Sequence, residues 1–305
     1  VPDIADQLNA SALLWQAGVK NQARDMTRAL IEQMPYQPSA WLNMGLWAEQ
    51  AGDQQRAVQS YRRVLSLNPE LAGSPFWTQG ARAGWWDEIV ESEKPSAEVP
   101  WRWRVLLAAA RFDEAVPEIE AWLEVHPDDT AAQIGLGEAL VGLHRPAEAL
   151  VPLDRVLEQA PSSAAGHLAR GEARLALGQY DEAEQDLRMA LFLDPSPLAH
   201  LGLARLALET SLEEVALQEY PRALRPLTLS QNAYVVLYRR MGWPALLPQV
   251  ARLGYRQDGE AALEWGNLLE ARGDTETAIK VYEAALNLDP FLVEVRQRLE
   301  SGREK

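Results

Sequence analysis

The sequence predicts an all-α fold, a superhelical solenoid of stacked helix pairs. Three observations predict it. Prolines keep a 34-residue interval, from Pro35 to Pro69 and from Pro127 through Pro161 to Pro195. Small residues keep the same clock: Ala23 to Ala57, Ala115 to Ala149 to Ala183, Gly18 to Gly52, and Gly137 to Gly171. Matching strings close the units, Ser-Leu-Asn-Pro at Pro69, Phe-Leu-Asp-Pro at Pro195 and Asn-Leu-Asp-Pro at Pro290. A fixed period of this length is the mark of an array. One helix pair cannot bury its own apolar face, so neighbouring pairs must stack.

Each marker has a mechanical reason. The apolar spacing of a unit reads as two amphipathic helices of roughly 12 to 14 residues. A Gly at the eighth place and an Ala at the twentieth let the two helices approach closely. Gly18, Gly52, Gly178 and Gly273 stand where the first helix must end, because glycine accepts the left-handed backbone of a C-cap. The Asn-Pro or Asp-Pro step ends the second helix, since the residue before proline is pushed out of helical geometry. Trp41, Tyr61 and Tyr282 are expected to fill the seam between neighbouring pairs.

In order, the units fall at 4–37, 38–71, 96–129, 130–163, 164–197 and 259–292, within one domain over 1–305. The segment 38–71 carries Trp41, Gly45, Gly52, Ala57, Tyr61 and Pro69 and resembles a tetratricopeptide repeat. Segment 259–292 is similar, through Trp265, Gly266, Leu269, Gly273, Ala278, Tyr282, Ala285 and Pro290. Segments 130–163 and 164–197 match through Gly137, Ala149, Val156 and Pro161, and through Gly171, Gly178, Ala183, Ala190 and Pro195. Units 4–37 and 96–129 are weaker, with Ser11 or Trp103 in the small-residue place. The interval from Pro69 to Pro127 requires a shortened unit at 72–95. Irregular helix pairs are expected at 198–225 and 226–258, and a charged capping helix at 293–305.

The composition excludes several classes. There are 29 Lys and Arg against 44 Asp and Glu, a formal net charge of −15. Such a surface repels nucleic-acid phosphates and anionic lipid, so nucleic acid is excluded as a partner. A basic or amphipathic peptide or protein face is the complementary choice. The absence of cysteine removes disulfides, thiolate catalysis and cysteine metal sites. No apolar run reaches the ~18 residues that span a bilayer. The start at Val1-Pro2 reads as a trimmed one. No phosphate-binding glycine loop, metalloprotease motif or nucleophile elbow is present. His126, His144, His167 and His200 are scattered, although the last two lie 33 residues apart, close to one period. No enzyme, metal or cofactor is expected.

The resemblance implies where a ligand sits. In this family the first helices of successive pairs line a concave groove that holds peptides. Carried over by position, the candidates are Trp15; Leu42, Leu46, Glu49 and Gln50; Ile134, Glu138 and Val141; Leu168, Glu172 and Leu175; and Leu263, Asn267 and Glu270. A second candidate is an aromatic patch, Trp77, Trp85, Trp86, Trp101 and Trp103, which holds five of the eleven tryptophans. Arg82, Arg102 and Arg104 are interleaved with it. It reads either as a hot-spot surface or as large side chains plugging the gap left by a short unit, with stacking on sugars a third reading. The implied function is a non-catalytic protein-interaction scaffold. The insert around Ser74–Gly80 and Trp85–Trp86, with the trimmed start, also loosely resembles the repeat tail of a bacterial membrane polysaccharide ligase or glycosyltransferase-like protein. That alternative implies an extracytoplasmic tail acting in cis or touching glycan; the scaffold reading is equally compatible with the cytoplasm.

Overall fold

The computed structural model describes residues 4–73, 75–78, 80–91, 100–224, 255–288 and 292–303. Among them, every regular element is helical. The first pairs are α1 (Ile4–Gln16) with α2 (Lys20–Gln33) and α3 (Pro38–Gln50) with α4 (Gln54–Leu67). Two 3-10 turns follow, Pro69–Gly73 and Pro75–Thr78, then two short helices, α5 (Ala81–Gly84) and α6 (Trp86–Val90). Regular pairing resumes with α7 (Pro100–Ala108) and α8 (Phe112–Val125), α9 (Thr130–Gly142) and α10 (Pro146–Gln159), and α11 (Ala164–Ala176) and α12 (Tyr180–Leu193). The pair α13 (Pro197–Glu209) and α14 (Glu213–Ala223) comes next. Beyond it lie α15 (Tyr255–Ala271), α16 (Thr275–Leu288) and α17 (Val293–Arg303). The expected unit 226–258 lies outside the described residues except for the first turn of α15. None of these helices is long and apolar enough to cross a membrane.

The helices start and stop for local reasons. Asp53, Asp129 and Ser163 accept hydrogen bonds at α4, α9 and α11 from the backbone N–H of Arg56, Ala132 and Gly166, each satisfying an orphan donor of the first turn. Gly52 and Gly178 turn the chain between the helices of their pairs at φ 75° and 73°. The corresponding turns of three other pairs are made by Ala110, His144 and Ser211 at φ 57°, 58° and 61°. A side chain in that region costs roughly 1–2 kcal/mol, so the stacking of pairs imposes the turn on residues that resist it.

Within a pair the helices mesh through one recurring contact. A Cβ built on Gly45 would stand 2.5 Å from the ring of Tyr61, and on Gly266 2.1 Å from that of Tyr282. At Gly137 and Gly171 the opposing side chains are Leu153 and Leu187, at 2.6 and 2.9 Å. Each partner lies 16 residues beyond its glycine. Tyr61 and Tyr282 therefore pack inside their own pairs as well as bordering the next. Ala57, Ala149, Ala183 and Ala278 are fully buried between the same helices.

The middle of the stack holds a buried ionic cluster. Asp186 on α12 is 3% exposed. Its carboxylate accepts from Arg170 Nε and Nη2 at 2.8 Å each and from Arg174 Nη1 at 2.6 Å. His167 Nδ1 lies 2.8 Å from the same carboxylate. His200 meets Glu219 in the same way, at 2.6 Å. Both histidines thus pair with a carboxylate 19 residues on, at one repeated position.

A candidate ligand groove on the inner helices

The first helices of the regular pairs, α7, α9, α11 and α13, share one wall with α15. Together with Glu70 of the Pro69–Gly73 turn they line a half-open cavity of about 1140 Å³. Two ladders of side chains run along it. One is apolar: Leu107, Val141, Leu175 and Leu208, spaced by 34, 34 and 33 residues. The other is charged and lies three residues earlier on each helix: Arg104, Glu138, Glu172 and Arg205. Because the unit repeats with the period of the stack, one place in each helix faces the same channel.

Close backbone approach gives the wall its shape. A Cβ on Gly135 would meet the ring of Trp103 at 2.8 Å, and one on Gly142 would meet Phe112 at 2.3 Å. Both rings therefore lie flush against α9 and add aromatic surface to the cavity. Tyr180, at the start of α12, adds a third ring.

The electrostatics are asymmetric. Six carboxylates line the cavity, those of Glu70, Glu138, Glu172, Glu209, Glu260 and Glu264, against the guanidinium groups of Arg104 and Arg205. Arg205 is held by α15: its Nη2 donates to Glu264 at 2.8 Å and to Glu260 at 3.1 Å. Burial opposes its charge, but the hydrogen bond and field of Glu264, with Glu172 and Glu260, raise its pKa overall. Tyr220 donates its hydroxyl to Glu264 at 3.0 Å; burial, then Glu264, raises that phenol. Glu70 keeps exposed surface within the concavity, yet the walls around it raise its carboxyl pKa, an effect that Arg104 offsets in part.

The expected lining residues divide by their place in the chain. Ile134, Glu138, Val141, Glu172 and Leu175 line the cavity. Leu168 does not; it packs half-buried against the cluster of Leu187, Leu203 and Leu206. The N-terminal candidates need correction. Trp15, Leu42 and Leu46 are core residues, 6%, 0% and 4% exposed. Trp15 stacks on Trp47 at 4.8 Å and donates Nε1 to Gln50 at 2.6 Å. Glu49 accepts from Arg82 Nη1 at 2.8 Å on each oxygen, and from the Tyr61 hydroxyl at 2.5 Å. Here the inner face is covered by the chain itself. In the last repeat Leu263 packs half-buried on the C-terminal core. Asn267 and Glu270 accept from the Tyr282 hydroxyl, at 3.3 and 3.4 Å, and Arg298 of α17 lies 3.9 Å from Glu270. The contribution of α15 to the cavity comes from Glu260 and Glu264 instead.

Of the readings of the aromatic patch, the burial fits the plug rather than the hot-spot surface. Trp77, Trp86 and Trp103 are 1%, 9% and 3% exposed, while Trp85 and Trp101 pack half-buried on the N-terminal core. The 3-10 turns and short helices leave a gap, and Phe76 and Trp77 fill it edge-on to Tyr61, at ring separations of 6.2 and 5.5 Å. Of these five tryptophans, Trp103 lines the cavity.

Arg104, expected beside the aromatic patch, and Arg205 were not among the expected groove residues, although a signal for both was present. They hold the register of Glu138 and Glu172 one unit earlier and one unit later. Glu70, Glu260 and Glu264 carried no such signal, because they meet the cavity only through contacts distant in sequence.

Sequence models of the tetratricopeptide repeat match residues 39–70, 106–171, 168–228 and 260–291, together more than half of the chain. No protein of curated function matches the sequence significantly. Among solved structures, a tetratricopeptide repeat protein from Parabacteroides merdae aligns over 98% of this chain and 98% of its own, with TM-score 0.50 and 16% identity. A thermophilic tetratricopeptide protein of Thermus thermophilus aligns over 67% of this chain and 98% of its own, with TM-score 0.42 and 23% identity. YrrB, a tetratricopeptide protein with an unusual peptide-binding site, aligns over 70% and 97%, with TM-score 0.35 and 18% identity. At these identities the likeness is one of fold. None of these matches connects the chain to a membrane polysaccharide ligase or glycosyltransferase. The repeat markers, the meshed helix pairs and the family matches together make this chain a member of the tetratricopeptide repeat family.

Proposed function

We propose that the chain is a non-catalytic scaffold whose inner cavity, from α7 to α15, holds a basic or amphipathic segment of a partner protein. The observation that carries this is the pair of ladders. An apolar strip made by Leu107, Val141, Leu175 and Leu208 runs beside Glu138 and Glu172, in a cavity where carboxylates outnumber guanidinium groups six to two. An amphipathic segment matches both strips at once, its apolar residues on one and its cations on the other. Charge complementarity of this kind sets partner choice and association rate more than raw affinity.

The test is a calorimetric titration with a short peptide alternating lysine and leucine, and with its glutamate-leucine counterpart. The lysine peptide is expected to bind and the glutamate peptide to give no heat. The double variant Glu138→Lys with Glu172→Lys is expected to lose that binding. Reversal of two exposed carboxylates on the outer helices, Glu124→Lys with Glu158→Lys, makes the same change in net charge and is expected to keep it. Equal weakening by both double variants would show that bulk acidity attracts the peptide and would refute the groove.

A further inference from the structure

The wall of the cavity is a closed circuit. Helices α7, α9, α11 and α13 follow one another along the stack. Arg205 ties α13 to Glu260 and Glu264 of α15. Helix α15 in turn packs against the Pro69–Gly73 turn, nearly two hundred residues earlier, and that turn packs against α7. Glu70 and Glu260 accordingly border the same cavity. A chain threaded through this ring with folded mass on both sides would have to break it, whereas a free chain end passes in without opening it.

The charge selects which end. A carboxyl terminus would bring one more negative charge among six carboxylates, while an amino terminus brings a cation to them. The N-terminal repeats show a cation seated on a carboxylate of a first helix, there supplied by an internal stretch of the chain. At α3, the Arg82 guanidinium sits on Glu49 at 2.8 Å and over the Phe76 ring at 3.8 Å. Arg82 is only 9% exposed there.

We propose that the cavity takes its partner end-on, by a basic amino-terminal segment of another polypeptide. This rests on the reading of the cavity as a peptide site and adds the direction and mode of access. The experiment uses the wild-type chain and one alternating lysine-leucine segment in four forms: at the amino end of a folded carrier, at its carboxyl end, between two carriers, and at the amino end with its amine acetylated. Fluorescence anisotropy reads each dissociation constant. Amino-terminal display is expected to bind at least about tenfold tighter than carboxyl-terminal or internal display, and acetylation to weaken it severalfold. Equal binding by the internal form would overturn end-on access while leaving the peptide groove standing. Equal or tighter binding by the carboxyl-terminal form would overturn the choice of end. No binding in any form would refute the groove itself.

Discussion

Asp186→Asn replaces the one carboxylate on which three cationic or basic side chains converge in the middle of the stack. The wild-type group is 3% exposed and accepts hydrogen bonds from Arg170 and Arg174, with His167 at 2.8 Å. Asparagine keeps the shape but removes the charge, and it turns an N–H₂ toward a guanidinium. Removing one partner of a buried pair costs about 3–5 kcal/mol, mostly from the charge left behind. Here the stranded arginines are not sealed: their side chains keep 19% and 23% of their exposure, and Arg170 still reaches Asp154 at 2.8 Å. The lower end, about 3 kcal/mol, is therefore the expected loss.

The assay must respect the architecture. In a solenoid, stability is a sum of unit and neighbour terms, so a single midpoint blurs a local loss. Hydrogen exchange of α11 and α12 reads it directly. A loss of about 3 kcal/mol predicts exchange faster by about two orders of magnitude in those helices, with little change in α3 or α4. The dependence on pH checks the cause. Burial alone would raise the Asp186 pKa, but the hydrogen bonds from Arg170 and His167 and the fields of Arg170 and Arg174 lower it overall. A lowered native value means that folding favours the ionised form. The contribution is then fully present above the unfolded value of about 3.9 and is lost as pH falls through the folded value. Wild type and variant should converge in acid. A variant within about 1 kcal/mol of wild type near neutrality, or a gap that persists unchanged into acid, would refute the reasoning. Asp154→Asn, at a side chain 52% exposed, is the control and should cost less than about 1 kcal/mol.

Three further outcomes follow from the packing. Ala57→Trp and Gly171→Trp overfill buried seams, and both should speed hydrogen exchange in their own helix pairs by the equivalent of about 1–3 kcal/mol or more and lower the thermal midpoint; unchanged exchange and midpoints would contradict the register of the repeats. His144→Gly relieves a left-handed backbone at φ 58° and should stabilise α9–α10 by about 0.5–1 kcal/mol in urea denaturation, where a loss would show that the imidazole makes a contact of its own. Glu213→Gln loosens only a surface pair with Arg272, its side chain 57% exposed, and should leave the urea midpoint where it is; a clear drop would mean that the pair braces α14 against α15.

How much of this was legible follows from the range of each interaction. The helix pairs could be read because their markers act within a few residues: a proline stops a helix, a glycine turns it, and a small residue meets a large one 16 positions on. His167 and His200 could be read as one repeated position for the same reason. The middle of the cavity was legible as far as register carries, at Ile134, Glu138 and Glu172. Register failed at Leu42, Leu46 and Glu49, where the family pattern is intact but something else in the chain already occupies the face. The salt bridge from Arg82 to Glu49 spans 33 residues, and no local pattern announces it. The closure of α15 on the Pro69–Gly73 turn is longer still in sequence.

The shortened unit connects these failures. A unit of normal length would have continued the inner wall from α3 straight into α7. In its place the chain has two 3-10 turns and two helices of four and five residues, too short to present a full inner face. The apolar surface of α3 and α4 must still be covered, and the residues at hand are Phe76, Trp77 and Trp86. Burying them draws Arg82 onto Glu49 and fills the N-terminal concavity. The same irregular segment places Glu70 at the border of the open cavity beyond it. One local deficit in helix length thus decides two things: Phe76, Trp77 and Arg82 cover the inner side of the second repeat, and the cavity proposed for a ligand begins at α7.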